Sequence, residues 1–493
     1  MKTKLLLSLI ATLLLGTLGF AENAQETVVI SANKSGTLLP TPKKSTDYVI
    51  EINEGVTFTN TGTRIIGDIA NDGCNYKITG DGNLVVSGSN SAHAVIFGAQ
   101  NTTGATPNSS IIVDVDTTIN TASAGGNRLT LTNQITTAFY KNLNASEIYV
   151  SVENNGVSNL IFGEENATSK YTASLANVGL NTNNNSSNHT DTSLNFTVNK
   201  NYTVNVVHNI YSKSITINGG NLTGKLILTD AITMNGGSIN LTSSVSAKSV
   251  TVNGGTITAN AFGSNSASDA AVVKITSGSI SSSEDLYVSG NSLVEGGTLS
   301  SSKKLGIVQG ASLVQKGGKI HGSHGLHFTG ATYEYHGGTG PSQIITSGGT
   351  VKLYNNFSTG LIKVNGANSL DLYWNGFETI LKGNTEANYQ GFFTDGNENA
   401  IFNLIVEEGY SWENDKLFVG NITEEQLYER IGRIQVGDVI YEKGEWFEVL
   451  ELVSATVSER TGYYINLATV PEPAEWAMIF GAIALAFVVY RRK

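Results

Sequence analysis

Four of the seven histidines in this 493-residue chain fall within sixteen residues: His321, His324, His327 and His336. Neutral imidazole is a common transition-metal ligand, so histidines gathered from neighbouring repeats could hold a metal. Their spacing fits no zinc motif, and no cysteine or carboxylate completes the set. They are candidates on proximity alone, beside a plainer reading as exposed turn residues in a Gly/Ser-rich stretch. Carboxylates are the next place to look for chemistry. Glycoside hydrolysis needs two of them about 5–10 Å apart. Asp114 and Asp116 stand two apart, which on one strand would put both on one face. Glu284, Asp285 and Glu334 are further acids that neighbouring repeats could pair, within a span from Asp191 to Asn375 that holds eight scattered acids. None of this meets the criteria for an active site. Aromatic residues cluster at Tyr373, Trp374, Phe377, Tyr389, Phe392, Phe393, Tyr410 and Trp412. Exposed, they could stack on sugar rings. Buried, they form a core, and that reading is preferred because aromatics carry most core burial.

Any such site needs a scaffold, and the centre of the chain supplies a repeating one. Asn-Gly-Gly ends the segments Ser214–Gly220, Ala231–Gly237 and Ser249–Gly255, and related glycine turns close at Gly278, Gly297, Gly318 and Gly338. These last glycines are 17, 18, 23, 19, 21 and 20 residues apart. Each unit reads as a short alternating strand, a tight turn and a second short strand. A period near 20 with glycine corners predicts a solenoid whose coils bury their faces only by stacking. Alternation turns Ile, Val and Leu inward and Thr, Asn, Lys and Ser outward. Asn tolerates the left-handed conformation at a corner, and stacked Asn residues can form ladders. No proline lies between Pro107 and Pro341, as a stack of central strands requires. Less regular coils are expected earlier, at Val56–Thr59, Asn83–Gly88, Ile111–Val115, Glu147–Val152 and Leu194–Val198, with a loop over Asn181–Asn188.

Composition agrees. Charged residues are 14% of the chain, against about 25% in an ordinary soluble domain, while 54 glycines and 40% apolar residues remain. The single cysteine, Cys74, excludes an intramolecular disulfide and reads as a small buried hydrophobe. From Glu378 to Arg460 there are seventeen acids and six bases, a difference of −11 that equals the net charge of the whole chain. No basic patch for nucleic acid exists. Within this acidic region, Thr423-Glu424-Glu425-Gln426 is a capping-box pattern opening a short helix, and Val436–Ile440 and Trp446–Leu452 read as strands.

The two ends read as addresses. Lys2 and Lys4 precede the apolar run Leu5–Leu18, and Gly19-Phe20-Ala21 offers a cleavage point after Ala21, the pattern of a secretory signal peptide. At the other end stand Pro471-Glu472-Pro473, an apolar run from Ala474 to Tyr490, and Arg491-Arg492-Lys493. The run is at the short limit of a membrane-spanning helix, which needs roughly 17–25 residues, and the basic end fits the positive-inside rule.

This tail resembles the PEP-CTERM sorting signal of Gram-negative, biofilm-forming bacteria. The resemblance covers only the tail. It implies Pro471, Glu472 and Pro473 as the motif recognised by exosortase, a membrane transpeptidase-like enzyme, and Arg491, Arg492 and Lys493 as the cytoplasmic stop. The glycine coils resemble the pectin-lyase-like β-helices of autotransporter passenger regions, although an apolar run and Arg-Arg-Lys stand where an autotransporter would carry a β-barrel. The expected organisation is all-β: signal peptide 1–21, right-handed parallel β-helix 22–375, small acidic C-terminal cap 376–466, linker 467–473 with the motif, transmembrane helix 474–490 and basic end 491–493. The expected protein is non-catalytic, structural or adhesive, with no cofactor. It is exported, anchored in the inner membrane through its C-terminal helix, then delivered to the cell surface or biofilm matrix. Its partners would be the export translocase, an exosortase-like enzyme and exopolysaccharide. The alternative is a β-helical polysaccharide lyase or glycosidase.

Overall fold

The computed structural model describes residues 24–39, 43, 46–62, 65, 74–87, 95–97, 110–120, 128–131, 135–150, 157–181, 194–266, 268–384, 389–394, 400–446 and 449–468. The signal peptide and its Ala21, nearly all of the Asn181–Asn188 run, Pro471–Pro473, the segment 474–490 and Arg491–Lys493 lie outside them. Among the described residues no helix is long and apolar enough to cross a membrane. The described chain is almost entirely strand, and its strands pair in parallel with equivalents one coil further along. It forms two compact units, Met1–Lys213 and Ser214–Lys493.

In the first unit, three columns of strands stack. One runs Ala24–Ile30, Thr46–Ile52, Asn75–Thr79, Ser110–Val113, Thr136–Phe139, Ser158–Phe162 and Leu194–Asn199, parallel throughout. The second column, from Lys34–Gly36 to Tyr202–Val206, follows the first corner of each coil. Coil length is irregular: Ala24 pairs with Thr46, but Ser158 pairs with Leu194. Inward positions carry Ile50, Ile78, Leu160 and Val198, all fully buried. Aromatic side chains stack up the interior, Tyr48 on Tyr76 at 5.8 Å and Phe139 on Phe162 at 5.9 Å. Each such side chain contributes about 1.5–3 kcal/mol by leaving water. Cys74 is buried and in no disulfide.

In the second unit the coils from Val272 to Phe328 are regular. Val272–Ile275, Ser279–Ser282 and Leu286–Val288 make one coil, Asn291–Val294, Thr298–Ser301 and Leu305–Ile307 the next, and Ser312–Gln315, Lys319–Gly322 and Leu326–Phe328 the third. The register is the glycine spacing: Thr256 pairs with Ser279, Ser279 with Thr298, and Thr298 with Lys319. Gly278 and Gly297 have φ of +85° and +69°, which favours glycine. A side chain at Gly297 would also strike the Gly278 carbonyl oxygen, which accepts from the Thr298 N–H at 2.9 Å. Outside the corners, Asn235 donates to Asn218 at 2.9 Å and Asn253 to Asn235 at 3.0 Å, the expected ladder.

Parallel stacking continues past residue 376. Ile401–Val406 pairs with Ser369–Tyr373, and Ile431–Val436 pairs with Ile401–Val406. The glycine signature fades there because coils lengthen, from Ser369 to Ile401 in one turn. The region expected to be cap thus contributes coil strands as well. Helix Glu424–Arg430 forms with its full capping box, Thr423 and Gln426 bonding each other's backbone. The strand expected over Val436–Ile440 is instead a hairpin: Gly437 turns at φ +56° and Val439–Tyr441 returns antiparallel. The hairpin Leu450–Val457/Arg460–Leu467 adds antiparallel to Leu417–Gly420.

Candidate functional site

From Leu286 to Val364 the third strand of each coil is only three residues long. Leu286–Val288, Leu305–Ile307, Leu326–Phe328, Ile344–Thr346 and Ile362–Val364 stack in parallel. Their first and last residues are buried, so the middle ones form an outward column: Tyr287, Gly306, His327, Ile345, Lys363. Gly306 is a gap in that column, and a side chain there would strike the Tyr287 ring. Along this face lies a groove of about 620 Å³. Tyr287, His327 and Ile345 line it, with Lys304 from the start of one strand. Gln309, Thr329, Ser347 and Asn365 come from the corners after successive strands, and Asn265 from an earlier loop.

The polar groups in this groove are unevenly engaged. His327 Nε2 lies 2.7 Å from the His324 carbonyl oxygen, so the proton sits on Nε2 and Nδ1 is left as an acceptor. Burial holds the imidazole below its ordinary value; the bond to His324 opposes this, and the Lys304 charge adds to it. The Tyr287 hydroxyl donates to Asp285 at 3.3 Å, and Asp285 also accepts from the Lys304 N–H at 3.1 Å. Burial, then the Asp285 carboxylate, pushes the Tyr287 hydroxyl up. Among the described residues the Lys304 ammonium has no ion-pair partner, and the side-chain amides of Asn265, Gln309 and Asn365 have no hydrogen-bond partner.

A second cluster spans the coils nearer the cap. Glu407 accepts from Lys352 at 3.1 Å and from Asn375 at 3.0 Å, while its own N–H donates to Asn375 at 2.9 Å. Burial pushes its carboxyl up, but bonds from Tyr354, Lys352 and Asn375, with the Lys352 charge, outweigh this and hold it low. His336 stacks on Tyr354 at 4.6 Å, and Tyr354 and Phe377 each lie 6.0 Å from Tyr410. Every charged group here is paired, as in a clasp between coils. No family model, no curated protein and no solved structure matches this chain.

The structure distributes the sequence-based candidates as follows. Among the described residues no three His, Cys, Asp or Glu side chains gather to hold a metal. His327 bonds the His324 carbonyl, and His336 pairs with Glu334 instead. Asp114 and Asp116 do not share a strand, because the chain corners at buried Val115 between Ser110–Val113 and Asp116–Ile119. Asp114 faces Lys77 and Thr79, and Asp116 bonds Asn142. Glu284 is taken by Lys303. The aromatic cluster divides: Trp374 and Phe392 are fully buried, whereas Tyr389 and Tyr410 are exposed, a correction to the all-core expectation. An inward position fixes the first pair, and a loop position frees the second. The third strands were missed in the sequence. A signal existed, the aliphatic-x-aliphatic triplet recurring as Leu286-Tyr-Val288, Leu305-Gly-Ile307, Leu326-His-Phe328 and Ile362-Lys-Val364.

Proposed function

We propose that this is an exported, non-catalytic surface or extracellular-matrix protein with a structural or adhesive role. Its strands form a right-handed parallel β-helix, and its C-terminal segment 474–490 spans the inner membrane. A PEP-CTERM signal at Pro471–Pro473 is then recognised by an exosortase-like enzyme, and Arg491–Lys493 is the cytoplasmic stop. The observation that carries the contact role is the outward surface of the coils. Columns of Asn, Ser and Thr, such as Asn218, Asn235 and Asn253, repeat at the strand spacing, about 4.8 Å, and offer an ordered array of donors and acceptors to a glycan matrix. The test is the intact mass of the mature C-terminus from the surface fraction of the native host. Loss of everything beyond Pro471–Pro473 is expected. An intact Lys493 in the inner membrane would reduce the tail to an anchor and withdraw the surface role.

The second reading, a polysaccharide lyase or glycosidase, draws on the neutral His327 imidazole and the unpaired Lys304 ammonium in one groove. New reducing ends released from matrix polysaccharide by the purified chain would favour it, whereas retention without turnover favours the adhesive reading.

A further inference from the structure

On other strand columns, several outward amides bond a neighbour one coil away and keep part of their hydrogen-bonding capacity free. Asn195 donates to Asn159, Asn142 to Asp116, and Asn235 to Asn218. The groove on the third-strand face gathers several unpartnered groups in one place. Three side-chain amides and one ammonium converge there without partners among the described residues, around the half-buried ring of Tyr287. Gly306 keeps the column low beside that ring, so the groove continues from Tyr287 to His327 across three strands.

We propose that this groove binds an extended anionic saccharide: the Tyr287 ring stacks on a sugar face, Lys304 takes a carboxylate, and the Gln309 and Asn365 amides take hydroxyls. Planar amides bond vicinal hydroxyls in pairs, and an aromatic ring offers the apolar face that a sugar ring needs. Strands rise by about 4.8 Å from coil to coil, close to the length of one hexose in a stretched chain. The sign of the ligand follows from Lys304. Among the described residues it is the one charged group that lines the groove, and Asp285 beside it is already occupied by the Tyr287 hydroxyl and a backbone N–H. His327, held neutral, adds an acceptor for one further hydroxyl.

This deepens the matrix-contact reading by naming a ligand class, and its test leaves the sorting test untouched. The purified full chain is titrated calorimetrically with a glucuronic-acid hexamer and with the glucose hexamer of the same linkage. The acidic hexamer should bind more tightly. Lys304→Met should weaken it about tenfold, the weight of one charge-assisted bond, and leave the neutral hexamer unchanged. Tyr287→Ala should weaken both. Lys319→Met, which removes an exposed charge from a different strand column, should change neither. A measurement without substitutions runs beside these: the acidic hexamer should shield Lys304 from acetylation while Lys319 stays reactive. Equal affinity for the two hexamers, an equal loss in Lys304→Met and Lys319→Met, or acetylation of Lys304 undiminished by ligand would each overturn the proposal.

Discussion

At the scale of single residues, two positions decide much. Gly297 is constrained twice, by a φ of +69° and by the Gly278 carbonyl beside it. Gly310 has a similar φ of +76° with open space around it. Left-handed backbone costs a non-glycine residue about 1–2 kcal/mol. Gly310→Ala should therefore lose roughly that much, and Gly297→Ala clearly more, because its neighbour is backbone that cannot swing away. Equal losses in chemical denaturation would mean that the glycine corners are not closely stacked. The other position is Glu407. Its carboxyl is held below the ordinary value, so its bonds stabilise the folded state above the unfolded carboxyl value of about 4.3, and that contribution fades as pH falls through the lowered value. The melting-temperature gap between wild type and Glu407→Gln should be level from neutrality to about pH 4.3 and close below it. A gap that stays level to the most acidic pH at which the chain folds would show that the charge of Glu407 adds nothing to the clasp with Lys352 and Asn375.

At the scale of elements, legibility depended on length. The glycine corners disclosed the register of the central coils because each marks a place where only one residue type fits, and spacings of 18, 23, 19 and 21 reappear as strand pairings. The three-residue third strands stayed hidden, since a single outward residue between two aliphatics gives alternation too little room. Their groove was hidden for a further reason. Tyr287, Lys304, His327 and Asn365 are strangers in sequence and meet only after five successive third strands have stacked. The helix Glu424–Arg430 was readable because its signal is local. Its cap bonds, Gln426 N–H to Thr423 Oγ1 at 3.2 Å and Thr423 N–H to Gln426 Oε1 at 3.0 Å, make Thr423→Ala an informative change. It should cost about 1 kcal/mol, and a Thr423→Asp variant should recover most of it. Indifference of stability to both changes would show that the helix is held by Leu427 and Tyr428 packing alone.

At the scale of the whole chain, each coil depends on the one before it for register, corner and core. Ile50 stands over Ile78, Gly278 over Gly297, and Asn235 over Asn253, each a copy of the same local answer. The glycine corners carry a consequence for how such a chain can change length over generations. Slipping one residue into a strand would exchange inside for outside along the rest of that strand and move the next glycine away from the carbonyl it must meet. Removing or duplicating a complete circuit, from one glycine to the next, leaves every remaining neighbour facing a familiar partner. Variants of this architecture are therefore expected to grow and shrink as a string of beads does, one whole bead at a time.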